Sequence, residues 1–174
     1  MAQQSRNERS ARRGSAKKTI QIIVETPSGS RNKYKYDQKT KRMKLSKVLP
    51  EGMIFPYDFG LIPGTKAEDG DPLDVLVLTD APTFPGCEVE VRVIGVIEAN
   101  QKEKGKENRN DRLIAVAEQS VLYAEIEELG DLDFTLLKQI EEFFTNYQKV
   151  RNIEVTVLSR EGAESARQKI DEAA

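Results

Sequence analysis

Histidine and tryptophan are absent from this chain of 174 residues, and Cys87 is its one cysteine. Without histidine there is no Ser-His-Asp triad, no Cys-His nucleophile pair and no histidine-ligated zinc. Proton transfer and metal binding fall to carboxylates, lysines, arginines, tyrosines or water. A lone cysteine builds neither an internal disulfide framework nor a CxxC metal knuckle, and it fits a reducing compartment. No apolar run approaches the ~18 residues that a membrane-spanning helix needs. The opening residues lack the apolar stretch of a signal peptide, although their Arg- and Ser-rich composition leaves a transit peptide open.

Charge is plentiful and unevenly placed. The chain carries 29 acidic and 27 basic side chains for a net of -2. Residues 1–18 hold Arg6, Arg9, Arg12, Arg13, Lys17 and Lys18 against Glu8 alone, a net of +5, which leaves the rest at -7. This start is polar and without apolar periodicity, so a disordered basic tail is expected over 1–18 and one folded domain over 19–174. A solubilising extension is the plain reading of the tail, and a weak nucleic-acid or partner contact is the other. With 38% hydrophobic residues the chain can build one core.

The pattern of the body is mainly β. TIQIIVET (19–26) is β-branched and runs into a Pro27-Ser28-Gly29 turn. NKYKYD (32–37) alternates lysine and tyrosine, and a third short strand is expected over 43–48. Residues 49–68, rich in Gly and Pro, read as an irregular connection that packs its apolar residues onto the core. LDVLVLT (73–79) reads as a central strand buried on both faces. Over 87–99 Val89, Val91 and Val93 point inward, Glu88, Glu90 and Arg92 outward, with a bulge at Gly95. Residues 100–110 read as a charged loop, and 111–118 as the returning strand of a long hairpin. Apolar spacings of 3 and 4 residues make one helical face from Phe134 to Val150, with Asp133 as N-cap. A last strand (153–158) and a short terminal helix (161–173) follow. The sum is an α+β, mainly β fold: a small, largely antiparallel barrel with helices packed against it.

The sharpest local feature is Asp69-Gly70-Asp71-Pro72-Leu73-Asp74, just ahead of the buried strand. Three carboxylates so close together repel one another. A divalent cation relieves this most simply, and an all-oxygen donor set selects Mg²⁺ or Mn²⁺. Gly70 permits the turn and Pro72 stiffens it. The same residues also fit a solvated Asp-Gly-Asp-Pro turn with no ligand. An EF-hand is excluded, because its sixth position must be Gly and here is Asp74. Gly60–Lys66 is not a P-loop, being one residue short and lacking Ser or Thr after Lys66.

DGDPLD resembles the signature of the soluble, Mg-dependent inorganic pyrophosphatases of the barrel family. The likeness extends to IVETP (23–27), NKYKYD, IFPYDFGLIPGT (54–65), RLIAV (112–116) and FFTNYQK (143–149), in order, with a longer 100–110 loop. It implies a five-stranded OB-like barrel with an additional hairpin. It also implies hydrolysis of pyrophosphate to two phosphates, Mg²⁺, a cytoplasmic location and a homo-oligomer, hexameric in prokaryotic members. By resemblance Asp69 and Asp74 are metal ligands, Asp71 takes the proton of the attacking water, and Glu25 helps bind a further metal. Lys33, Lys47, Arg112 and Tyr147 fall on substrate-binding positions.

Other positions depart from the family. Lys35 stands where the family has glutamate, Lys47 replaces arginine and Phe59 replaces tyrosine. Gln101 and Asn110 replace two metal-binding aspartates, Arg112 replaces lysine, and Gln148 replaces lysine. Asp111 lies next to Asn110, but a one-residue shift in a strand turns a side chain to the other face. A pyrophosphatase with an altered site is the first reading. A catalytically reduced homologue that binds a phosphorylated ligand or a protein is the second. An oligonucleotide-binding barrel is disfavoured by the acidic body.

Overall fold

The computed structural model describes residues 18–174. The expected basic tail falls outside the described residues except for Lys18.

Five strands close a barrel. They are β1 (Thr19–Thr26), β4 (Asp58–Leu61), β5 (Asp74–Leu78), β6 (Glu88–Glu103) and β8 (Arg112–Ala117). Going round, β1 pairs with β4, β4 with β5, β5 with β8, β8 with β6 and β6 with β1. Only β5 and β8 run parallel; the other barrel pairings are antiparallel. This is the order of an OB-type barrel, as expected. Outside it, β2 (Asn32–Asp37) and β3 (Arg42–Val48) form a separate hairpin. The long β6 also pairs with β7 (Lys106–Arg109) and with β9 (Ile153–Gly162). Two helices complete the body, α1 (Phe134–Lys149) and α2 (Ala163–Ala173). The Asp133 carboxylate caps α1 by accepting from the Thr135 backbone N–H at 2.8 Å.

Alternation along the strands makes two cores. Ile22, Val24, Val75, Val77, Val91, Val93, Leu113 and Ala115 fill the barrel. Leu76, Leu78, Ile94, Ile114 and Val116 project the other way, where Ile140, Phe144 and Tyr147 of α1 cover them. Strand β5 is therefore buried on both faces, as its unbroken apolar run predicts. The ladder slips between Val93 and Gly95, which is the expected bulge.

Three expectations are corrected. Residues 58–61 of the supposed irregular connection are a strand. Its four residues are all buried, too few to show a period, and Gly60 hides it further. A Cβ on Gly60 would come within 2.2 Å of the Ile23 carbonyl oxygen, so only glycine lets β4 close on β1. The supposed 100–110 loop is a hairpin in which β6 runs to Glu103 and β7 returns from Lys106. Lys104 and Gly105 both take positive φ, 50° and 79°, as a two-residue type I′ turn requires. The exposed ends of this hairpin carry no apolar alternation to reveal it. Finally, Arg92 points out of the barrel but is buried, 7% exposed. It donates to the carbonyls of Tyr123, Ala124 and Ile126 and pairs with Glu118 at 2.9 Å, pinning the 118–126 segment to the barrel wall.

Candidate active site

The Asp69–Asp74 segment is a pinned turn. Gly70 takes φ 86°, and the Ala67 N–H donates to the Asp71 carbonyl at 2.7 Å. The Asp69 carboxylate accepts from the Asp71 N–H at 3.0 Å, so part of the solvated-turn reading holds for this residue. Upstream, the Thr65 hydroxyl donates to the Ile62 carbonyl and accepts from the Leu73 N–H. The Lys66 N–H donates to the Ala173 carbonyl at the end of α2 at 2.8 Å. The turn is thus fixed at both sides before Asp74 starts β5.

The parallel register of β5 and β8 sets Val75 beside Leu113, which brings Asp74 and Arg112 together at the two strand starts. Arg112 Nη1 lies 2.8 Å from Asp74 Oδ2. Lys35 pairs with Asp71 at 2.8 Å. That contact raises the Lys35 pKa and keeps the ammonium charged. Glu25, near the end of β1, is 4% exposed and accepts from the Tyr36 N–H at 2.7 Å. Burial, reinforced by the Asp74 charge and opposed by the Tyr36 N–H, pushes its carboxyl up to about 7.

Facing these acids are basic groups. Lys33 and Lys47 are register partners across the β2–β3 hairpin. The Lys33 ammonium stands 5.2 Å from the Phe59 ring centre and 5.8 Å from that of Tyr147. Burial lowers its pKa to about 8, with the Asp74 charge pulling back and Arg112 and Lys47 adding to the fall. The Arg112 guanidinium also lies over Phe59, at 5.8 Å. The Phe59 ring therefore meets two cations, a favourable contact that needs no hydroxyl.

Gln101 and Asn110, where the resemblance leads one to expect aspartates, form a chain with Gln148. Asn110 Nδ2 donates to Gln101 Oε1 at 2.5 Å, and Gln148 Nε2 donates to the same oxygen at 3.3 Å. Asn110 Oδ1 accepts from Arg112 Nη1, and Gln148 Oε1 accepts from Arg151 Nη1 at 3.0 Å. Asp111 is committed elsewhere. It pairs with Arg109 at 2.6 Å and Lys169 at 3.0 Å and accepts from the Ala99 N–H at 3.1 Å. It ties α2 to the β6–β8 hairpin, so it would take up a metal only in competition with Arg109 and Lys169.

One cavity of ≈ 710 Å³ collects these groups. Glu25, Lys33, Lys47, Asp69, Asp71, Asp74 and Arg112, seven of the eight residues singled out in the sequence, line it. Tyr147 does not; it is 2% exposed, beneath the wall, and stacks on Phe143. Its hydroxyl and Arg112 Nε are buried without a hydrogen-bond partner. Burial pushes the Tyr147 phenol up, against the pull of Arg151, so it stays a donor. Sequence reasoning missed Arg151. The available signal was its place four residues after Tyr147, one helical turn on.

An OB-type barrel bearing a cleft lined by both carboxylates and clustered cations has the chemistry to handle a small polyanion together with a hard metal ion. The profile of the inorganic pyrophosphatase family matches residues 22–174. Relatives named inorganic pyrophosphatase include that of Methanosarcina acetivorans, 39% identical over 83% of this chain and 84% of its own. That of Geobacillus stearothermophilus is 38% identical over 89% of this chain and 92% of its own. The inorganic pyrophosphatase structure from Thermus thermophilus superposes with a TM-score of 0.83 and 33% identity, covering 91% of each chain. The chain belongs to the inorganic pyrophosphatase family.

A divalent metal accompanies that membership. Asp69, Asp71 and Asp74 line the cavity with carboxylates, the donor type that a hard cation prefers. Among the described residues no three acidic side chains stand as a preformed metal cluster. Lys35 and Arg112 neutralise Asp71 and Asp74 instead, so a cation fits this donor set in competition with the two basic groups.

Proposed function

We infer that this cavity hydrolyses inorganic pyrophosphate to two phosphates with Mg²⁺, or Mn²⁺ in its place. One observation carries the reading: chain segments far apart in sequence bring three aspartates and the basic groups Lys33, Lys47 and Arg112 to one cavity. Asp69, Asp74 and Glu25 would hold the metal, which when bound supplies a Lewis acid and an acidified water. Asp71 receives the proton of the attacking water, and Lys35, now paired with it, is the cation that moves aside or steadies the carboxylate. Lys33, Lys47 and Arg112 bind phosphoryl oxygens and oppose the charge that builds up during in-line attack. Arg112, which lines the cavity, has its Nε left without a hydrogen-bond partner. A buried polar atom left unpaired costs about 1–3 kcal/mol, which an anionic acceptor would recover. The relatives are named as enzymes, which favours hydrolysis over the catalytically reduced alternative.

The same reading places the protein in the cytoplasm as a homo-oligomer, hexameric by resemblance. No helix among the described residues is long and apolar enough to cross a membrane. Val157 and Leu158 on β9 are exposed apolar side chains that a subunit contact would cover.

Steady-state phosphate release from pyrophosphate with and without Mg²⁺ tests the function. Release should require the metal, and Asp71→Asn should reduce kcat by at least about a hundredfold, the scale of a lost general base. Undiminished turnover in Asp71→Asn would remove Asp71 from the mechanism. No release from the wild-type protein would reject the hydrolytic reading.

A further inference from the structure

We propose that Arg151 and Arg112, held at the two ends of the Gln148–Gln101–Asn110 amide bridge, form a two-guanidinium clamp for one phosphoryl group of the substrate, an assignment that rests on reading the cavity as a pyrophosphate site.

The bridge has one possible polarity. Arginine only donates, so Asn110 and Gln148 must each turn their carbonyl oxygen to the guanidinium beside it. Their NH₂ groups then both point at Gln101 Oε1. A carbonyl oxygen has two lone pairs, and here both are engaged. The three amides bring no negative charge and leave no free lone pair on Gln101. This wall is therefore built to hold cations belonging to the protein rather than to bind a metal ion.

Each arginine keeps donors to spare. Arg112 is 9% exposed, and its Nε has no partner. Arg151, in the turn after α1, lines the cavity and lies 6.0 Å from the Tyr147 ring centre. Among the described residues it has no ion-pair partner within 4.0 Å. Lys47 faces the same space: burial first, and the Arg151 charge second, lower its pKa. Cations that raise one another's energy in this way are stabilised together by a single anion. Guanidinium groups suit phosphoryl oxygens because their planar fork can donate two parallel hydrogen bonds.

Titration calorimetry of the full-length protein with methylenediphosphonate, a non-hydrolysable pyrophosphate analogue, tests the clamp in chelator and again in Mg²⁺. Arg151 is exposed, so Arg151→Gln should leave the melting temperature unchanged. It should weaken binding about tenfold or more under both conditions, the scale of one lost charge-assisted contact. Arg151→Lys should recover part of the loss, because it keeps the charge without the fork. Gln148→Met should weaken binding less than Arg151→Gln, and should add nothing in the double variant, because it acts only by positioning Arg151. Lys102→Gln, an exposed charge outside the cavity, is the control. Unchanged affinity in Arg151→Gln, or an equal loss in Lys102→Gln, would overturn the clamp. Failure of the wild-type protein to release phosphate would reject hydrolysis, whereas Arg151-dependent diphosphonate binding would still stand.

Discussion

Asp74 and Arg112 start two neighbouring parallel strands, and their side chains meet at 2.8 Å across the strand starts. Neither is near the other in sequence. If Asp74 is a metal ligand, as proposed, a divalent ion must compete with Arg112 for it.

Charge-neutralising variants test that exchange. Asp74→Asn and Asp69→Asn should each lose most of the Mg²⁺-dependent rise in melting temperature. A ligand that binds only the folded state stabilises it by about 2.7 kcal/mol at a hundred times its Kd, and these variants lack the charge that binds it. Thermal melts in chelator and in saturating Mg²⁺ give the difference directly. A full Mg²⁺ shift in either variant would show that its carboxylate is not a ligand.

Lys33 gives a pH dependence. Its pKa is lowered to about 8, so the free protein holds the ammonium below that pH and loses it above. In the proposed function the charged form binds the anion. Hence kcat/KM, which reports the free enzyme, should fall as pH rises through about 8, by up to about tenfold per unit. Lys33→Arg keeps its charge in this range and should abolish that limb. A pH profile from 6 to 10 decides it, and an unchanged limb in Lys33→Arg would assign the titration to another group.

The amide bridge can be converted. In the double variant Gln101→Asp, Asn110→Asp, two full negative charges replace neutral oxygens in a cavity that already holds Asp69, Asp71 and Asp74. The rise in melting temperature on adding Mg²⁺ should exceed that of the wild type, because opposite charges at close range attract strongly in a partly buried site. A shift equal to or smaller than the wild-type value would mean that this wall does not face the metal.

Gly60 tests the barrel. In Gly60→Ala the new methyl group meets the Ile23 carbonyl at 2.2 Å, and backbone cannot step aside as a flexible side chain would. The variant should lose at least about 3 kcal/mol in denaturant unfolding, the upper part of the usual range for overpacking. Gly130→Ala, where a Cβ meets nothing within 4 Å, should cost far less. Equal stability of the two would mean that β1 and β4 do not close as tightly as described.

Sequence alone determined the parts whose physics is local. Alternation placed β2 and the first half of β6; β-branched residues placed β1; an unbroken apolar run placed β5, and β8 followed as the return of the hairpin; the period of 3 and 4 placed α1; and Asp133 announced its own cap. The DGDPLD turn was legible because three carboxylates around Gly and Pro leave few conformations and few chemistries. Tertiary structure decided what depends on closure. It made a strand of Asp58–Leu61, whose four buried residues carry no period. It paired Asp74 with Arg112 through a parallel register that no local pattern encodes. It committed Asp111 to Arg109 and Lys169, and it joined Gln101, Asn110 and Gln148 into one chain between two arginines. An amide reads the same in any sequence. Which lone pair it offers, and to whom, is set only when distant strands and a helix end arrive at the same place.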